Sequence, residues 1–463
     1  MQPVVLPNTS LRKTMEVIGK SGFGIAIVIK EETEEVLGVI SDGDIRRAIL
    51  DGIRLEEDIS QIYITDFIYA TEDEPYSSLA EIMVEKSINQ IPILDKQGHL
   101  VEVAIARKLL EDTKVKSISQ LKIHDVKKVL IIGGAGYIGS HLSRILLDKG
   151  LSVRVFDKLV YGTEGIKELQ VNPNFELISG DIRNLDEIMN AMFDVDAVVH
   201  LAAIVGDPAS KLLPHEAIVI NYVSSIAIAS LCKYLQINRF IFASTCSVYG
   251  KTDDKLISEE GNLNPLSLYA VTKVETEKAL KAMENQNFKP TILRFSTIYG
   301  LSERMRFDLA ANIMTAHGYF NKKIKVFGGE QWRPFLHVYD AANAIVSVLT
   351  SPFSKIEGEI FNVGSNNQNF QIKDIALILK DLIPNLEIET TDEGDHRDYS
   401  VSFSKIEELL QFKPKHTLEE GIEEILETLK KGKYKDYRDK KYSNFLLLKS
   451  DGIEDVEKKI TFE

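Results

Sequence analysis

The chain has few cysteines, no surplus of positive charge and no long apolar run. Only two cysteines, Cys232 and Cys246, occur in 463 residues, which makes a disulfide framework implausible and favours a reducing compartment. The formal net charge of −14 argues against nucleic acid or an anionic membrane as a general partner. No stretch approaches the apolar length needed to span a bilayer, and the N-terminus lacks a cationic start followed by an apolar run. We therefore expect a cytoplasmic protein with no nucleic-acid and no membrane partner.

The sequence also lacks histidine, cysteine and acidic residues at the spacing of metal ligands, so we expect no metal site. Its 463 residues suffice for two or three domains with separate cores. A polar stretch, residues 111–128, is a candidate boundary between an N-terminal unit, residues 1–120, and a larger domain, residues 127–430. The charged segment 431–463 is predicted to be a C-terminal tail.

A glycine-rich turn follows a predicted buried strand well inside the chain. Residues 129–132 form an apolar run that leads into Gly133, Gly136 and Gly139, and then into a predicted helix from about Ser140. In this pattern the first glycine allows a tight turn, the second lets the backbone approach a diphosphate, and the third packs helix against strand. The phosphates lie at the helix N-terminus, where free N–H groups and the macrodipole favour negative charge. The pattern is typical of a dinucleotide-binding fold.

The next predicted strand, residues 152–156, is followed directly by Asp157. A carboxylate at this position accepts hydrogen bonds from both ribose hydroxyls of an adenosine and repels a 2′-phosphate. We therefore expect NAD, rather than NADP, as the cofactor, although the positive charge of the neighbouring Lys158 opposes this preference.

Strands and helices alternate along residues 127–430. The predicted strands are residues 129–132, 152–156, 175–178, 197–201, 239–243 and 291–295. This alternation predicts an α/β fold, a doubly wound parallel sheet of the Rossmann type with helices on both faces. After Gly300 the pattern becomes irregular, and short strands near residues 325–327 and 360–363 predict a smaller C-terminal substrate lobe.

Tyr269 and Lys273 are four positions apart and would share one face of a helix. A nearby ammonium stabilises a phenolate and lowers the pKa of a phenol from about 10 toward neutrality, which suits proton exchange with a sugar hydroxyl. By itself such a pair more often belongs to a solvated helix face. The catalytic interpretation is favoured because a cluster of hydroxyl side chains, residues 244–249, follows the predicted strand 239–243, where open α/β sheets bind ligands.

These residues resemble the extended short-chain dehydrogenase/reductase family, in particular its nucleotide-sugar epimerases and dehydratases. The similarity covers residues 127–425. The matching motifs, in the family's order, are Gly-Gly-Ala-Gly-Tyr-Ile-Gly (133–139), Gly-Asp-Ile-Arg (180–183), His-Leu-Ala-Ala (200–203), Ser-Thr-x-Ser-Val-Tyr-Gly (244–250), Tyr-x-x-x-Lys (269–273) and Gln-Trp-Arg-Pro-Phe-Leu-His-Val (331–338).

The resemblance implies an NAD site and a nucleotide-sugar site. Thr245, Tyr269 and Lys273 would be catalytic, with Thr245 bonded to the reacting oxygen of the sugar and Lys273 also holding the nicotinamide ribose. The implied cofactor-binding residues are Gly133, Gly136, Tyr137, Ile138, Gly139, Asp157, Lys158, Asp181, Ile182, Leu201, Ala202, Ala203, Asn221, Tyr269 and Lys273. The implied substrate-binding residues are Val205, Thr245, Ser247, Thr297, Arg304, Arg306, Arg333 and Arg397.

Within these sets the resemblance assigns specific contacts. Asp181 and Ile182 would hold the adenine, Ala202 and Asn221 would line the cofactor cleft, and Arg333 would grip the substrate diphosphate. A homodimer or higher homo-oligomer is expected as well, because the apolar stretch 219–235 lies in a predicted helix.

The positions after Thr245 limit the reaction that the resemblance implies. Dehydratases of the family have an Asp-Glu pair there, whereas this chain has Cys246 and Ser247, and decarboxylating relatives keep a Glu at the position of Ser247. Cys246 lies three positions before Tyr249, and relatives that epimerise next to a ketone have their cysteine two positions before it, which favours a passive thiol. The remaining reactions need only a hydride and a phenol: 4-epimerisation, or net 4-oxidation or 4-reduction.

Two features depart from the family pattern. The Asn usually found near Thr297 is missing, and the family's Arg-x-x-Gly-Asp is replaced by residues 392–395, with Arg397 just beyond. Arg304 and Arg306 would supply the missing cations, because a guanidinium binds a diphosphate bidentately; a solvated loop is the alternative. His200 and His337 are expected to be structural.

Residues 1–120 contain a diverged internal repeat. The first copy has a predicted helix at 11–19, strand at 24–29, apolar segment at 36–44 and helix at 45–50, and the second has a helix at 78–86, strands at 91–94 and 100–105, and a helix at 106–110. Because neither half buries its own apolar face, we expect the two α+β halves to pack together.

The repeat resembles a pair of CBS modules, which bind adenosine nucleotides as regulators. The match is Gly-Val-Ile-Ser-Asp-Gly-Asp (38–44), in which Ser41 would meet a phosphate and Asp44 the ribose hydroxyls, with Arg46 and Arg47 beside the phosphate. The implied effector is a nucleotide or nucleotide sugar. A purely structural or dimerising CBS pair is the alternative.

The second copy has Ile105 and Lys108 at the positions equivalent to Ser41 and Asp44, so one of the two sites has lost its polar contacts. The sequence as a whole predicts an NAD-dependent nucleotide-sugar 4-epimerase with an N-terminal regulatory CBS pair. A net oxidoreductase and a non-catalytic nucleotide sensor are the alternatives, and an intact Thr245, Tyr269 and Lys273 argues against the sensor.

Overall fold

The computed structural model describes residues 3–50, 52–74, 78–79, 82–83, 88, 90–105, 126–252, 256–285, 288–391 and 397–451. The chain divides into two compact units, Met1–Asp125 with Asn285–Asn287, and Val126–Glu284 with Phe288–Glu463. Several predicted features lie outside the described residues: much of helix 78–86, helix 106–110 with Lys108, most of the linker 111–128, residues 392–395 and the side chain of Arg46.

The N-terminal unit contains two sheets of the same pattern. Its elements are β1 (Val4–Val5), α1 (Leu11–Ser21), β2 (Ile25–Ile29), β3 (Val36–Ser41), α2 (Asp42–Leu50), β4 (Ala70–Thr71), β5 (Gln90–Leu94) and β6 (Leu100–Ile105). In β1-β2-β3 and in β4-β5-β6 the first pair of strands is parallel and the second antiparallel. Ile25 and Ile27 share an apolar cluster with Val103, so the two halves pack together as predicted.

The larger unit alternates strands and helices. It begins with β7 (Lys128–Ile132), α3 (Tyr137–Asp148), β8 (Ser152–Asp157), β9 (Phe175–Ser179), α4 (Leu185–Ala191), β10 (Ala197–His200), α5 (Asp207–Leu212), α6 (Pro214–Ile218), α7 (Ser224–Tyr234), β11 (Arg239–Thr245), α8 (Leu268–Ala282) and β12 (Thr291–Phe295). It continues with β13 (Thr297–Tyr299), α9 (Ala310–Asn321), β14 (Lys323–Phe327), β15 (Trp332–His337), α10 (Val338–Thr350), β16 (Ile360–Val363), β17 (Asn369–Gln371), α11 (Ile372–Leu382), β18 (Glu387–Thr391), α12 (Ser404–Leu410), α13 (Leu418–Lys430) and α14 (Asn444–Asp451).

Seven parallel strands form the central sheet in the order β16-β12-β11-β10-β7-β8-β9. Both faces are buried, because alternate residues of β7, Val129 and Ile131 on one side and Leu130 and Ile132 on the other, enter separate cores. Helices α3 and α10 pack into the first core and α7 into the second. The predicted doubly wound parallel α/β fold is confirmed, with its strand order reversing between β7 and β10, where such sheets bind ligands.

The prediction that residues 360–363 belong to the smaller lobe is wrong. Strand β16 pairs in parallel with β12, with Ile360 opposite Ile292, and it forms one edge of the central sheet. Phe361 and Val363 are fully buried in one of its cores. Without β16, the outer edge of β12 would be unpaired and this core would be open to solvent. The burial of Phe361 and Val363 therefore accounts for the position of β16 in the central sheet.

A smaller lobe follows, with the sheets β13-β15-β17 and β14-β18. Its core gathers Tyr299, Phe335 and Leu379 with residues of α9 and α13. Beyond α13, in the segment predicted to be a tail, Tyr434 and Tyr437 are buried in a cluster with Phe307.

One helical stretch among the described residues, Pro214–Tyr234, is long and apolar enough to cross a membrane by length and composition alone. On that criterion the expectation that no stretch approaches the required length is wrong. Ile228, Ala229 and Cys232 of this stretch are fully buried in a core of the central sheet. It is a core helix of this domain, interrupted by a π-helical turn at Val219–Val223.

Candidate active site

A cavity of about 900 Å³ opens at the carboxyl ends of the central strands. Every residue predicted to bind cofactor or substrate lines it, with the exception of Asn221. The Asn221 side chain is fully buried and exchanges hydrogen bonds with the backbone of Ile204, from Ile204 N at 2.8 Å and to Ile204 O at 3.0 Å. Asn221 therefore holds the segment after β10 in place from behind the cavity wall.

Two glycines at the turn between β7 and α3, Gly133 and Gly139, have no room for a side chain. Gly133 has a φ of +84°, and a Cβ there would lie 2.6 Å from Ala202 N. A Cβ at Gly139 would lie 2.6 Å from Gly134 Cα, so α3 packs directly on the turn. No side chain caps the N-terminus of α3, whose N–H groups face the cavity end of the turn. This cradle fits a dinucleotide diphosphate.

Asp157, at the end of β8, is held by two backbone groups. Its Oδ2 accepts from Ala135 N at 3.0 Å and its Oδ1 accepts from Leu159 N at 2.8 Å. Burial raises the pKa of this carboxyl, and the two backbone hydrogen bonds oppose the rise. Because an oxygen can accept more than one hydrogen bond, both remain able to accept from ribose hydroxyls.

Lys158 is engaged elsewhere. Its ammonium donates to Asp181 Oδ2 at 2.8 Å, and Arg183 Nη2 donates to the same oxygen at 2.6 Å. Burial alone would raise the pKa of Asp181, but the hydrogen bonds from Arg183 and Lys158 hold it well below its usual range. Lys158 is thus held at Asp181, but it shares this carboxylate with Arg183, so the three groups keep one net positive charge. Asp157 remains the residue that disfavours a 2′-phosphate. The predicted cofactor, NAD, fits the site.

The three predicted catalytic residues lie along one wall of the cavity. Thr245 ends β11, with its Oγ1 accepting from Ser247 N at 3.1 Å. Lys273 Nζ donates to Ala243 O at 2.7 Å and lies 5.9 Å from the centre of the Tyr269 ring. Tyr269, at the start of α8, and Lys273, one turn later, therefore lie next to the carboxyl end of β11.

The prediction that the pKa of Tyr269 is lowered toward neutrality is wrong for the protein without bound ligands. Burial raises the pKa of Tyr269, and the positive charge of Arg306 opposes the rise. Burial also lowers the pKa of Lys273 to about 7. The spacing of Tyr269 and Lys273 indicates a nearby ammonium but not the removal of both groups from water, which penalises each charged form.

Cys246 points away from the cavity. It is 1% exposed, and its Sγ donates to Arg294 O at 3.2 Å on the far side of β11. Burial raises the pKa of its thiol. The neighbouring Ser247 does line the cavity. These positions match the predicted passive thiol.

Polar side chains also surround the part of the cavity beyond Tyr269. The Arg333 guanidinium lies 5.0 Å from the centre of the Tyr399 ring, and the Tyr399 hydroxyl lies 3.4 Å from Ser247 Oγ. Arg397 Nη1 lies 3.4 Å from Asp207 Oδ2. Asp207 lines the cavity within the segment 204–208 that follows β10, where the sequence predicts that the chain faces the sugar. Tyr399, for which no role was predicted, contacts Arg333 and Ser247 but does not line the cavity itself.

A buried ion pair lies behind the cavity wall that carries Thr245, Tyr269 and Lys273. Arg294 on β12 and Glu277 on α8 are each 3% exposed, and Arg294 Nη2 donates to Glu277 Oε2 at 2.7 Å. The hydroxyl of Ser244, next to Thr245, donates a hydrogen bond to the Glu277 carboxylate. Glu277 lies one helical turn after Lys273, so the ion pair fixes α8 against β12 and the Ser244 hydrogen bond fixes it against β11.

The two histidines expected to be structural have protein partners. His200 Nε2 lies 2.8 Å from Ser225 Oγ, and burial lowers the pKa of His200 to about 3. His337 Nε2 lies 3.1 Å from Glu424 Oε2, and its ring stacks on His416. The described residues contain no group of three or more histidine, cysteine and acidic residues that would hold a metal ion.

Comparisons with known proteins place this site in a family. The model of the NAD dependent epimerase/dehydratase family matches residues 129–364, and the CBS domain model matches residues 2–51 and 59–137. An uncharacterised UDP-glucose epimerase of Bacillus subtilis, YtcB, is 32% identical over 64% of this chain and 95% of its own length. The UDP-glucose 4-epimerase of Lactobacillus helveticus is 27% identical over 68% of this chain and 100% of its own.

Solved structures agree with these matches. The UDP-glucuronic acid 4-epimerase of Bacillus cereus, in complex with UDP-glucuronic acid and NAD, superposes with a TM-score of 0.60 at 29% identity, over 66% of this chain and 99% of that one. The UDP-glucose 4-epimerase of Thermotoga maritima with UDP-glucose gives a TM-score of 0.59 at 25% identity, over 66% and 99%. Together with the glycine cradle, Asp157 and the Tyr269–Lys273 wall, these matches show that the chain belongs to the NAD-dependent epimerase/dehydratase family and carries CBS domains ahead of its catalytic domain.

Proposed function

We propose that this protein is an NAD-dependent nucleotide-sugar 4-epimerase. One observation carries the proposal: Thr245, Tyr269 and Lys273 share a cavity with the dinucleotide cradle, while the residues after Thr245 are a buried thiol and Ser247. A carboxylate acid–base pair, which elimination of water would need at these positions, is therefore missing. The 4-epimerase names of two relatives support the same reaction.

In the proposed reaction Tyr269 acts as the phenolate, the form that the positive charge of Arg306 favours against burial, and removes the proton of the sugar C4 hydroxyl. Thr245 holds the same oxygen by a hydrogen bond. When bound, NAD would supply the acceptor for the C4 hydride and the source of the hydride for the opposite face of the sugar. The 4-keto sugar rotates within the cavity so that its other face meets the hydride. Tyr269 then returns the proton to the C4 oxygen. Arg333 and Arg397 would hold the diphosphate and the sugar while the ring turns.

Small molecules released by denaturing the purified protein, identified by mass spectrometry, test this function together with a panel of nucleotide sugars. We expect NAD at close to one equivalent and a 4-epimer that forms without added cofactor. Stoichiometric release or consumption of NADH would instead identify the alternative, a 4-dehydrogenase or 4-reductase. Bound nucleotides without turnover of any sugar would indicate a non-catalytic sensor.

A homodimer is proposed for the catalytic domain. Ile218 and Val223, beside α7, are 44% and 51% exposed, and Val271 on the adjacent α8 is 39% exposed. Exposed apolar side chains on neighbouring helices favour a protein–protein contact at this surface. Sedimentation should show a dimer that Val223→Asp converts to monomer. Val171→Asp, at an isolated site that is 89% exposed, is the matched control and should remain dimeric. A monomeric wild type would refute the proposal.

We further propose that the first CBS half binds a nucleotide or nucleotide sugar as an effector. Ser41 and Asp44 form a reciprocal cap at the start of α2: Ser41 N donates to Asp44 Oδ2 at 2.8 Å, and Asp44 N donates to Ser41 Oγ at 3.2 Å. Arg47 forms an ion pair with Asp44. The same hydrogen bonds also stabilise the first turn of α2, which is a structural role for Ser41 and Asp44. A binding measurement distinguishes this role from ligand binding.

Calorimetry of the full-length protein with adenine, guanine, uridine and cytidine nucleotides should identify one that binds and changes the kinetics. Because coupling is reciprocal, a substrate analogue should change the effector affinity by the same factor. Asp44→Asn should weaken the effector, whereas Asp42→Asn, on the exposed first turn of α2, should not. Absence of binding across the screen would leave a structural CBS pair.

A further inference from the structure

The segment Tyr434–Asp451, which we call the C-terminal strap, lies well beyond the part of the chain that the epimerase family model matches. Its first half is anchored on one residue. The rings of Tyr434, Tyr437 and Tyr442 surround Phe307 at centre-to-centre distances of 5.2, 6.1 and 5.6 Å. Phe307 N also donates to Tyr442 O at 2.8 Å. The strap is therefore a packed part of the catalytic domain.

The second half of the strap forms a wall of the cavity. Asn444, Phe445 and Leu448, all on α14, line the same cavity as the glycine turn and Tyr269. Leu448 is 3% exposed and packs with Ile204 and Ala209, on the segment after β10. The strap thus extends from Phe307 to the carboxyl end of β10, where the cavity opens.

Arg304 lies beside the glycine turn. The loop that carries it is fixed to α3, because Ser302 Oγ lies 3.0 Å from Ser140 Oγ and donates to Tyr137 O at 3.1 Å. A Cβ built on Gly165 would lie 2.8 Å from Ala135 O and 3.1 Å from Arg304 Cβ. This places Arg304 next to the turn that cradles the dinucleotide diphosphate, on the cofactor side of the cavity.

Two buried side chains at this point have polar atoms without a hydrogen-bond partner among the described residues. Arg304 is 4% exposed with no hydrogen-bond partner for Nε and Nη2, and Asn444 is 5% exposed with none for Oδ1. The neighbouring Arg306 is paired with Asp308, which also accepts from Asn444 N at 2.9 Å. The Arg304 guanidinium lies 4.3 Å from the centre of the Tyr161 ring, but its two buried donors without an acceptor are costly, so an anion is their expected partner.

We propose that the C-terminal strap completes the cofactor site. Arg304 donates to the diphosphate of NAD, and Asn444 Oδ1, which is an acceptor, accepts from a ribose hydroxyl of the same cofactor. Leu448 seals the strap against the sheet. This deepens the proposed function, since an epimerase recovers NAD in every cycle and gains from retaining it.

Release of bound NAD tests the proposal. The full-length protein is loaded with radiolabelled NAD and mixed with excess unlabelled NAD, and the dissociation rate is measured. We expect the rate to rise about 10- to 100-fold in Arg304→Met, since hydrogen bonds from a charged group are lost, and about 10-fold in Asn444→Ala. Leu448→Ala should also accelerate release. Leu446→Ala, on the same helix but 41% exposed, is the matched control and should behave as the wild type.

Wild-type dissociation rates in Arg304→Met, Asn444→Ala and Leu448→Ala would overturn the proposal. A raised KM for the nucleotide sugar with unchanged NAD release would also overturn it, by assigning these residues to the substrate. Circular dichroism and thermal melting of each variant identify loss of fold, and saturating NAD should restore turnover to folded variants. The test is separate from that of the reaction: a net oxidoreductase would contradict the proposed function while the dissociation rates still report on the strap.

Discussion

Replacing Tyr269 with phenylalanine is expected to lower the turnover rate by on the order of 10² or more while NAD remains bound. The substitution removes one oxygen, the proposed carrier of the C4 proton, and leaves the ring that packs beside Lys273. The glycine cradle and Asp157 are on other elements, so the stoichiometry of bound NAD should stay at the wild-type value. Single-turnover measurements with the best sugar of the panel would show the loss in kcat with little change in KM.

Tyr339→Phe provides the control for this result. Tyr339, on α10, is 39% exposed and does not line the cavity, so its hydroxyl should be dispensable. Near-normal turnover in Tyr269→Phe would remove this residue from the catalytic role. Loss of turnover together with loss of NAD would mean that the hydroxyl serves in cofactor binding instead.

Glu277→Ala is expected to destabilise the catalytic domain by about 3–5 kcal/mol, because it leaves the buried guanidinium of Arg294 without its counter-charge. Three short contacts join these side chains, from Arg294 Nε to both Glu277 oxygens at 3.2 and 3.1 Å and from Nη2 at 2.7 Å. The Ser244 hydroxyl loses its acceptor as well. Urea unfolding, followed by the fluorescence of the single tryptophan, Trp332, measures the change.

The matched control is Glu275→Ala on the same helix. Glu275 pairs with Lys278 on the exposed face, where ion pairs contribute little, so the unfolding midpoint should stay close to that of the wild type. Equal midpoints for Glu277→Ala and the wild type would show that the buried pair is not a stabilising contact. The comparison separates the loss of a carboxylate from the loss of this particular buried partner.

The central sheet and the cofactor cradle could be predicted because their signals are local. A buried strand, three glycines and Asp157 follow one another within 30 residues, and each has a backbone or charge requirement that the sequence displays directly. The alternation of strands and helices has the same property. Only Asn221 of the predicted binding residues lies off the cavity, since the resemblance gives its neighbourhood but not which way its amide points.

The remaining features depend on contacts between distant parts of the chain. Strand β16 joins the central sheet 65 residues after β12 ends, and nothing in its four residues distinguishes an edge strand from a lobe strand. The strap carries lysines and tyrosines without a helical or alternating pattern, and its order comes from packing on Phe307. The pKa of Tyr269 follows from burial, which the spacing of Tyr269 and Lys273 does not reveal.

The two backbone hydrogen bonds of Asp157 have a consequence for changing the coenzyme. An engineer who wants NADP in place of NAD would first replace this carboxylate, since it repels the 2′-phosphate. That change also removes the acceptor of Ala135 N, an amide of the glycine turn, and of Leu159 N, just after β8. Coenzyme choice and the integrity of the turn are therefore linked at one residue, and asparagine, which keeps one acceptor oxygen, is the natural starting point for such a redesign.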